Sequence, residues 1–390
     1  IFNNYTRKDD IQMNYREFGK TGEKISALGF GCMRFPEYKK DEKNYVDQDK
    51  VDEMIRYAYE NGVNYFDTAY PYHDGASEVA LRKAVVERYP RDSFVIADKL
   101  PLFLITENEQ LEPIFQEQLE RCGVEYFDYY LLHNVSAFSE AGFVGVNSFE
   151  FALEKKKEGK IKHLGFSTHA NAEYIENIIK EHPELEFIQL QINYLDWEND
   201  AIESKKCYEV ARKYDLPILI MEPLKGGFLV NIPEEAEKLM KEYNDEEPVT
   251  WALKYVSSLD GVFMVLNGVS NIEQMEQNIQ IMDNLEEIIK TDDVLYHQGY
   301  TATELRKILI HDELPSFLNQ KDLCNLTKEI VDLASSGLQE RGIGEETFLN
   351  PLYARIKKHT NPASEIKKLI SKGVNLEKII RDYGNLDMVV

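Results

Sequence analysis

Apolar positions along the chain fall into two kinds of stretch that take turns. Short runs such as Ile218-Leu-Ile-Met221 are apolar without interruption, as expected of parallel strands covered on both faces. Between such runs apolar residues recur every three or four positions. Val51, Met54, Ile55 and Tyr59 do so within Asp49–Glu60, and Asn61-Gly62 then supplies a helix stop. Read this way, the chain predicts strands at Ile25–Gly31, Asn64–Asp67, Phe94–Lys99, Tyr126–His133, Ile161–Ser167, Phe187–Asn193, Pro217–Glu222 and Gly261–Val269. The helical pattern predicts helices at Asp49–Glu60, Ser77–Glu87, Glu107–Arg121, Phe149–Lys157, Ala172–Glu181, Ala201–Tyr214, Glu234–Tyr243 and Ile272–Met282.

Eight strand–helix units in about 260 residues predict an α/β fold, a (β/α)8 TIM barrel over residues 13–285. An open doubly wound sheet is the rival, but the first strand–helix connection carries no GxGxxG fingerprint. Beyond Leu285 the alternation stops. Residues 286–390 read as a C-terminal helical extension, with Asp322–Ser335 its clearest amphipathic stretch. Residues 1–12 precede the first patterned segment, which Met13 opens, and read as an upstream extension.

Composition narrows the class. The 45 basic residues against 69 acidic ones give a net charge of −24, a field that repels nucleic acid. No apolar run reaches the roughly 18–20 residues of a membrane span. The four cysteines (Cys32, Cys122, Cys207 and Cys324) are widely spaced, which speaks against a disulfide framework or a metal site and for a cytoplasmic protein.

Candidate chemistry lies at the strand ends. Asp67, Tyr72, Lys99 and His133 fall at or just after three successive apolar runs, and in a β/α barrel such ends converge on one mouth. Tyr72 alone would titrate near ~10, but an adjacent ammonium favours the phenolate, and a carboxylate would hold that ammonium in place. Taken singly, the four have structural readings as a strand cap, a packed aromatic, a snorkelling lysine and a buried histidine. Their joint placement favours proton transfer to a carbonyl oxygen. The loop from Asn134 to Ser148 offers Phe138 and Phe143 as pocket walls.

These residues carry a resemblance. Phe66-Asp-Thr-Ala-x-x-Tyr72, Ala97-Asp-Lys99, Leu131-Leu-His133, Gly159-Lys-Ile-Lys-His-Leu-Gly-Phe-Ser167, Gln189-Leu-Gln-Ile-Asn-Tyr194 and Met221-Glu-Pro-Leu-Lys-Gly-Gly227 follow in order. The chain over about 13–285 resembles the aldo-keto reductase family, in particular a bacterial branch that often carries a ferredoxin-like C-terminus. The resemblance implies reduction of a small aldehyde or ketone by NAD(P)H, with Tyr72 as general acid, Lys99 and Asp67 supporting it and His133 orienting the carbonyl. It also implies cofactor contacts from Ser167, Thr168, Gln191, Met221, Pro223, Leu224, Gly226, Gly268, Ser270, Gln274, Gln277 and Asn278. Thr168 stands where Asn is common, and Met221 where many members stack an aromatic ring on the nicotinamide. Gly268 and Gln274 stand where NADPH-preferring members carry Lys and Arg. NADP(H) is the expected cofactor, with NAD(H) the alternative, and Lys225 is either a pyrophosphate cation or a surface residue.

The tail departs from that branch, since no cysteine cluster follows the barrel. Leu333-Ala-Ser-Ser-Gly-Leu-Gln-Glu-Arg-Gly-Ile-Gly-Glu-Glu-Thr-Phe-Leu-Asn-Pro-Leu352 resembles the C-terminal segment of bacterial glutamate–cysteine ligases. The resemblance implies a protein partner or fusion through the C-terminal helices. It also leaves an alternative function, a nucleotide-sensing or regulatory subunit linked to that ligase.

Overall fold

The computed structural model describes residues 13–283, apart from 42, 200, 201, 233–235, 239 and 241–246. The expected extensions at 1–12 and 286–390, with the ligase-like segment and Cys324, lie outside the described residues.

The chain opens with an antiparallel hairpin of β1 (Tyr15–Glu17) and β2 (Lys24–Ser26). The barrel begins only at β3 (Leu28–Gly31), so the single first strand expected at Ile25–Gly31 is divided between the two elements. Ser26 marks the break. Its hydroxyl donates to the Leu28 carbonyl, and its amide donates to the Asn64 side chain. A second hairpin, β4 (Glu37–Lys40) with β5 (Lys43–Val46), follows β3 and was not foreseen.

The remaining strands are β6 (Tyr65–Asp67), β7 (Val95–Leu100), β8 (Phe127–Leu132), β9 (Ile161–Thr168), β10 (Ile188–Gln191), β11 (Ile218–Met221) and β12 (Val262–Gly268). All are parallel, and β12 pairs back onto β3 to close an eight-stranded barrel. Alternate residues of each strand serve two cores. In β8, Tyr129 and Leu131 point into the barrel, while Tyr130 and Leu132 pack outward under the helices. Phe18, 2% exposed at the tip of the first hairpin, plugs the interior against the rings of Tyr129, Phe187 and Phe263 at 5.0, 5.8 and 5.1 Å.

Helices follow the strands as patterned, with small shifts. Asp47, Asn171 and Asn271 cap the helices Gln48–Glu60, Ala172–Glu181 and Ile272–Met282 by accepting from amides three residues on. The helix expected at Ser77–Glu87 instead runs Ala76–Leu81 and widens into a π turn at Arg82–Val86. Ser77 is not its cap: its hydroxyl lies 2.9 Å from Thr68 Oγ1, tying the helix to the end of β6. The helix expected at Glu234–Tyr243 falls mostly outside the described residues, although 236–238 and 240 are helical. Among the described residues no helix is long and apolar enough to cross a membrane.

Candidate active site

Strand register decides which polar groups meet. Asp67 ends β6, and Lys99 is next to last in β7. His133 follows β8 directly, while Tyr72 opens a short turn, Tyr72–Gly75, beyond β6. With Asp67 opposite Ala97 and Lys99 opposite Leu131, all four stand at the C-terminal end of the barrel, as the sequence predicted. The Lys99 ammonium donates to Asp67 Oδ1 at 2.5 Å and to the Thr68 carbonyl at 2.6 Å, and lies 5.0 Å from the centre of the Tyr72 ring. The Tyr72 and His133 rings are 6.1 Å apart at 82°.

Burial sets the charges. It works against the Lys99 ammonium, but Asp67 and Tyr72 outweigh it and keep that group charged well into the alkaline range. Burial also raises Asp67, with Lys99 pulling the other way. The Tyr72 phenol is pushed up to about 12, because burial outweighs the pull of Lys99. Here the structure reverses the expectation of a lowered phenol pKa: the ammonium is present, yet desolvation dominates. Burial, then the charge of Lys99, drives His133 well down, so its imidazole is neutral.

A cavity of about 230 Å³ opens onto Asp67 and Tyr72 and runs between the ends of β3, β11 and β12. Four buried polar atoms on its lining residues have no hydrogen-bond partner among the described residues: Asp67 Oδ2, Gln189 Oε1, Asn267 Nδ2 and Asn278 Nδ2. Orphaned donors and acceptors around one cavity are the signature of a polar ligand site. A larger cavity, about 460 Å³, lies at the opposite end beside Phe18. Its cations are already engaged: Arg16 by the Ser257 and Val262 carbonyls, Lys20 by Asp215 and Arg212 by Asp260.

A model of the aldo/keto reductase family matches residues 27–288. The chain belongs to the aldo-keto reductase family. It is 28% identical over 302 residues to a Glycine max protein named "Probable aldo-keto reductase 1", covering 67% of this chain and 82% of that one. It is 24% identical over 318 residues to the NADH-specific methylglyoxal reductase of Escherichia coli (strain K12), covering 68% and 92% respectively. Among solved structures it shares the fold of aldo-keto reductase AKR11C1 from Bacillus halodurans in its holo form. The TM-score there is 0.60 at 23% identity, covering 75% of this chain and 96% of that one. As a member of this family the chain is an oxidoreductase, and membership implies nicotinamide-dependent carbonyl reduction.

Within the family frame, the expected cofactor residues divide by location. Met221, Pro223, Leu224, Gly226, Gly268, Ser270, Gln274, Gln277 and Asn278 line the smaller cavity. Ser167, Thr168 and Gln191 do not. Ser167 Oγ accepts from the Asn134 amide, Thr168 Oγ1 donates to the Val135 carbonyl, and Gln191 bridges His169 and Asp196. Lys225 is neither a surface residue nor a free cation, since its ammonium is 2.6 Å from Asp196 and its side chain is only 9% exposed.

Several lining residues escaped the sequence reading: Met33 and Arg34 after β3, Gln189 in β10, Glu222 after β11 and Asn267 in β12. Burial above all pushes Glu222 up to about 7, against the pull of Lys225 and Arg34. A signal for Arg34 was available, because Gly31-Cys-Met-Arg34 follows a barrel strand at its C-terminal end as Asp67 does. Phe103 meets the His133 ring edge-on and Phe138 packs on Phe103, whereas Phe143 packs on Phe149.

Proposed function

We propose that this chain reduces an aldehyde or ketone to an alcohol, with Tyr72 as the proton donor and a nicotinamide dinucleotide lying along the smaller cavity. The observation that carries the reading is the Tyr72 phenol held beside a fixed ammonium at the mouth of that cavity. The residues present fit the cofactor. Gly268 leaves room for the stem of Arg34, which brings a cation to the cavity at the Gly226 turn, and Asn267 and Asn278 offer unpaired amide donors. The bound dinucleotide supplies hydride.

The chain's own groups handle the proton. As the carbonyl carbon gains hydride, its oxygen gains negative charge and takes the Tyr72 hydroxyl proton. The phenolate left behind is stabilised by Lys99, whose charge is maintained by Asp67. Neutral His133 retains one N–H, enough to donate to the carbonyl oxygen and align it. NADP(H) is the favoured form because Arg34 brings positive charge into the cavity beside the Gly226 turn, and NAD(H) is the alternative.

Residues 13–285 form the reductase unit in this reading. The test is to follow loss of NADPH or NADH absorbance with a panel of aldehydes, comparing wild type with Tyr72→Phe. Turnover should fall by at least two orders of magnitude with cofactor affinity unchanged. Retained turnover would remove Tyr72 from its role.

A further inference from the structure

The turn that carries Tyr72 is held in a conformation that its residues do not favour. His73 (φ 53°, ψ 41°) and Asp74 (φ 53°, ψ 37°) are both left-handed, and Gly75 follows at φ 84°. Two consecutive non-glycine residues in that region are strained and persist only where surrounding contacts hold them. For His73 those contacts are explicit. Its Nδ1 donates to Glu37 Oε1 at 2.5 Å, and its ring stacks on Phe35 with centroids 5.9 Å apart at 25°. Phe35 is in turn anchored in the core, 3% exposed and packed against Phe30. Glu37 is the first residue of β4, so the hairpin inserted after β3 ties down the residue next to Tyr72.

We propose that His73, clamped by Glu37 and Phe35, is a positioning residue that fixes the Tyr72 hydroxyl over the reacting carbonyl. The proposal rests on the assignment of Tyr72 as proton donor. Proton transfer demands hydrogen-bond geometry, and a misplacement of about 1 Å costs on the order of 100-fold in rate. With the clamp released, the turn is no longer tied to β4 and the Phe35 ring, and the hydroxyl drifts with it. The ion pair of Lys99 with Asp67 is untouched, because it is anchored on β6 and β7.

The test uses the full chain and four variants: Glu37→Ala, Glu37→Gln, His73→Asn and Tyr72→Phe. Asparagine tolerates left-handed backbone but cannot provide the stacked ring. Glutamine keeps an oxygen that accepts from Nδ1. Glu37→Ala and His73→Asn should lower kcat about 10- to 100-fold. Their cofactor Kd, measured by fluorescence titration, and their Tm should stay at wild-type values, and Glu37→Gln should recover most of the rate. Wild-type kcat in both Glu37→Ala and His73→Asn would overturn the proposal. So would a kcat loss matched by equal losses in cofactor affinity and Tm, which would mark a general effect on folding. Unchanged activity in Tyr72→Phe would fail separately, by removing the assignment on which the proposal stands.

Discussion

The stem of Arg34 occupies the space that a side chain at Gly268 would need, its Cγ lying 2.8 Å from where a Cβ would stand. The Arg34 guanidinium also reaches the edge of the Gly226 turn, 3.2 Å from a Cβ there. A cation therefore enters the cavity from the segment after β3, with its stem over Gly268 and its charge at the Gly226 turn.

Arg34→Ala should weaken NADPH binding about tenfold or more, since a charge-assisted contact to phosphate contributes ~1.5–3 kcal/mol. Fluorescence titration with both dinucleotides checks this. A larger loss for NADPH than for NADH places the guanidinium on the extra phosphate, and an equal loss places it on the shared pyrophosphate. No loss for either would take Arg34 out of the cofactor site.

Lys99 and Asp67 form a buried ion pair, at 1% and 2% side-chain exposure, and removing one partner strands the other charge. Asp67→Ala or Lys99→Met alone should destabilise the fold by about 3–5 kcal/mol, because a buried charge is left without compensation. The double variant Asp67→Ala/Lys99→Met should lose less than the sum of the two. Urea denaturation of the three proteins measures the coupling. Strict additivity would show that the two groups do not act as a pair.

Much of this was legible in the chain because strand ends in a β/α barrel are positionally constrained. Asp67, Lys99 and His133 could be assigned to one mouth from the apolar runs that precede them. Arg34 was overlooked although the strand end at Gly31 was read correctly, because an arginine three residues past a strand reads equally as a surface cation. The phenol pKa could not be foreseen either. Sequence shows that a lysine is near Tyr72, but the sign of the shift depends on how thoroughly both are desolvated. The β4–β5 hairpin escaped because most of its residues are exposed, leaving no apolar alternation to read.

Behind β7, Glu78 and Asp98 are both closed to solvent, with Arg121 donating to Glu78 Oε2 at 3.0 Å and the Lys99 amide donating to Asp98 Oδ1 at 2.8 Å. Burial above all pushes Glu78 up to about 10 and Asp98 up to about 6, so the pair holds a proton at neutral pH. Both folded pKa values lie above those of an unfolded carboxyl. The stability they contribute is full below about pH 4 and is lost as pH rises through 6 and 10. Glu78→Gln imitates the protonated form without titrating. It should therefore melt higher than wild type at pH 9 and nearly alike at pH 5. Parallel Tm curves for the two proteins would sink this assignment.

At the opposite end of the barrel, His163 joins the first hairpin to the strands above it. Its Nε2 is 2.9 Å from Glu23 and its Nδ1 3.1 Å from Glu186, so both nitrogens must carry protons. Burial opposes that charge, but Glu186 and Glu23 outweigh it and hold the imidazolium up to about 9. A folded pKa above the unfolded value of about 6.5 stabilises the fold fully below pH 6.5, and that contribution is lost as pH rises through 9. After allowance for solvent screening, the contribution is on the order of 1–2 kcal/mol. His163→Gln should lower Tm by about 2–5 °C at pH 6 and by much less at pH 10. A deficit that stays constant across that range would mean the ring acts through packing against Phe18, whose centroid is 4.7 Å away, and not through its charge.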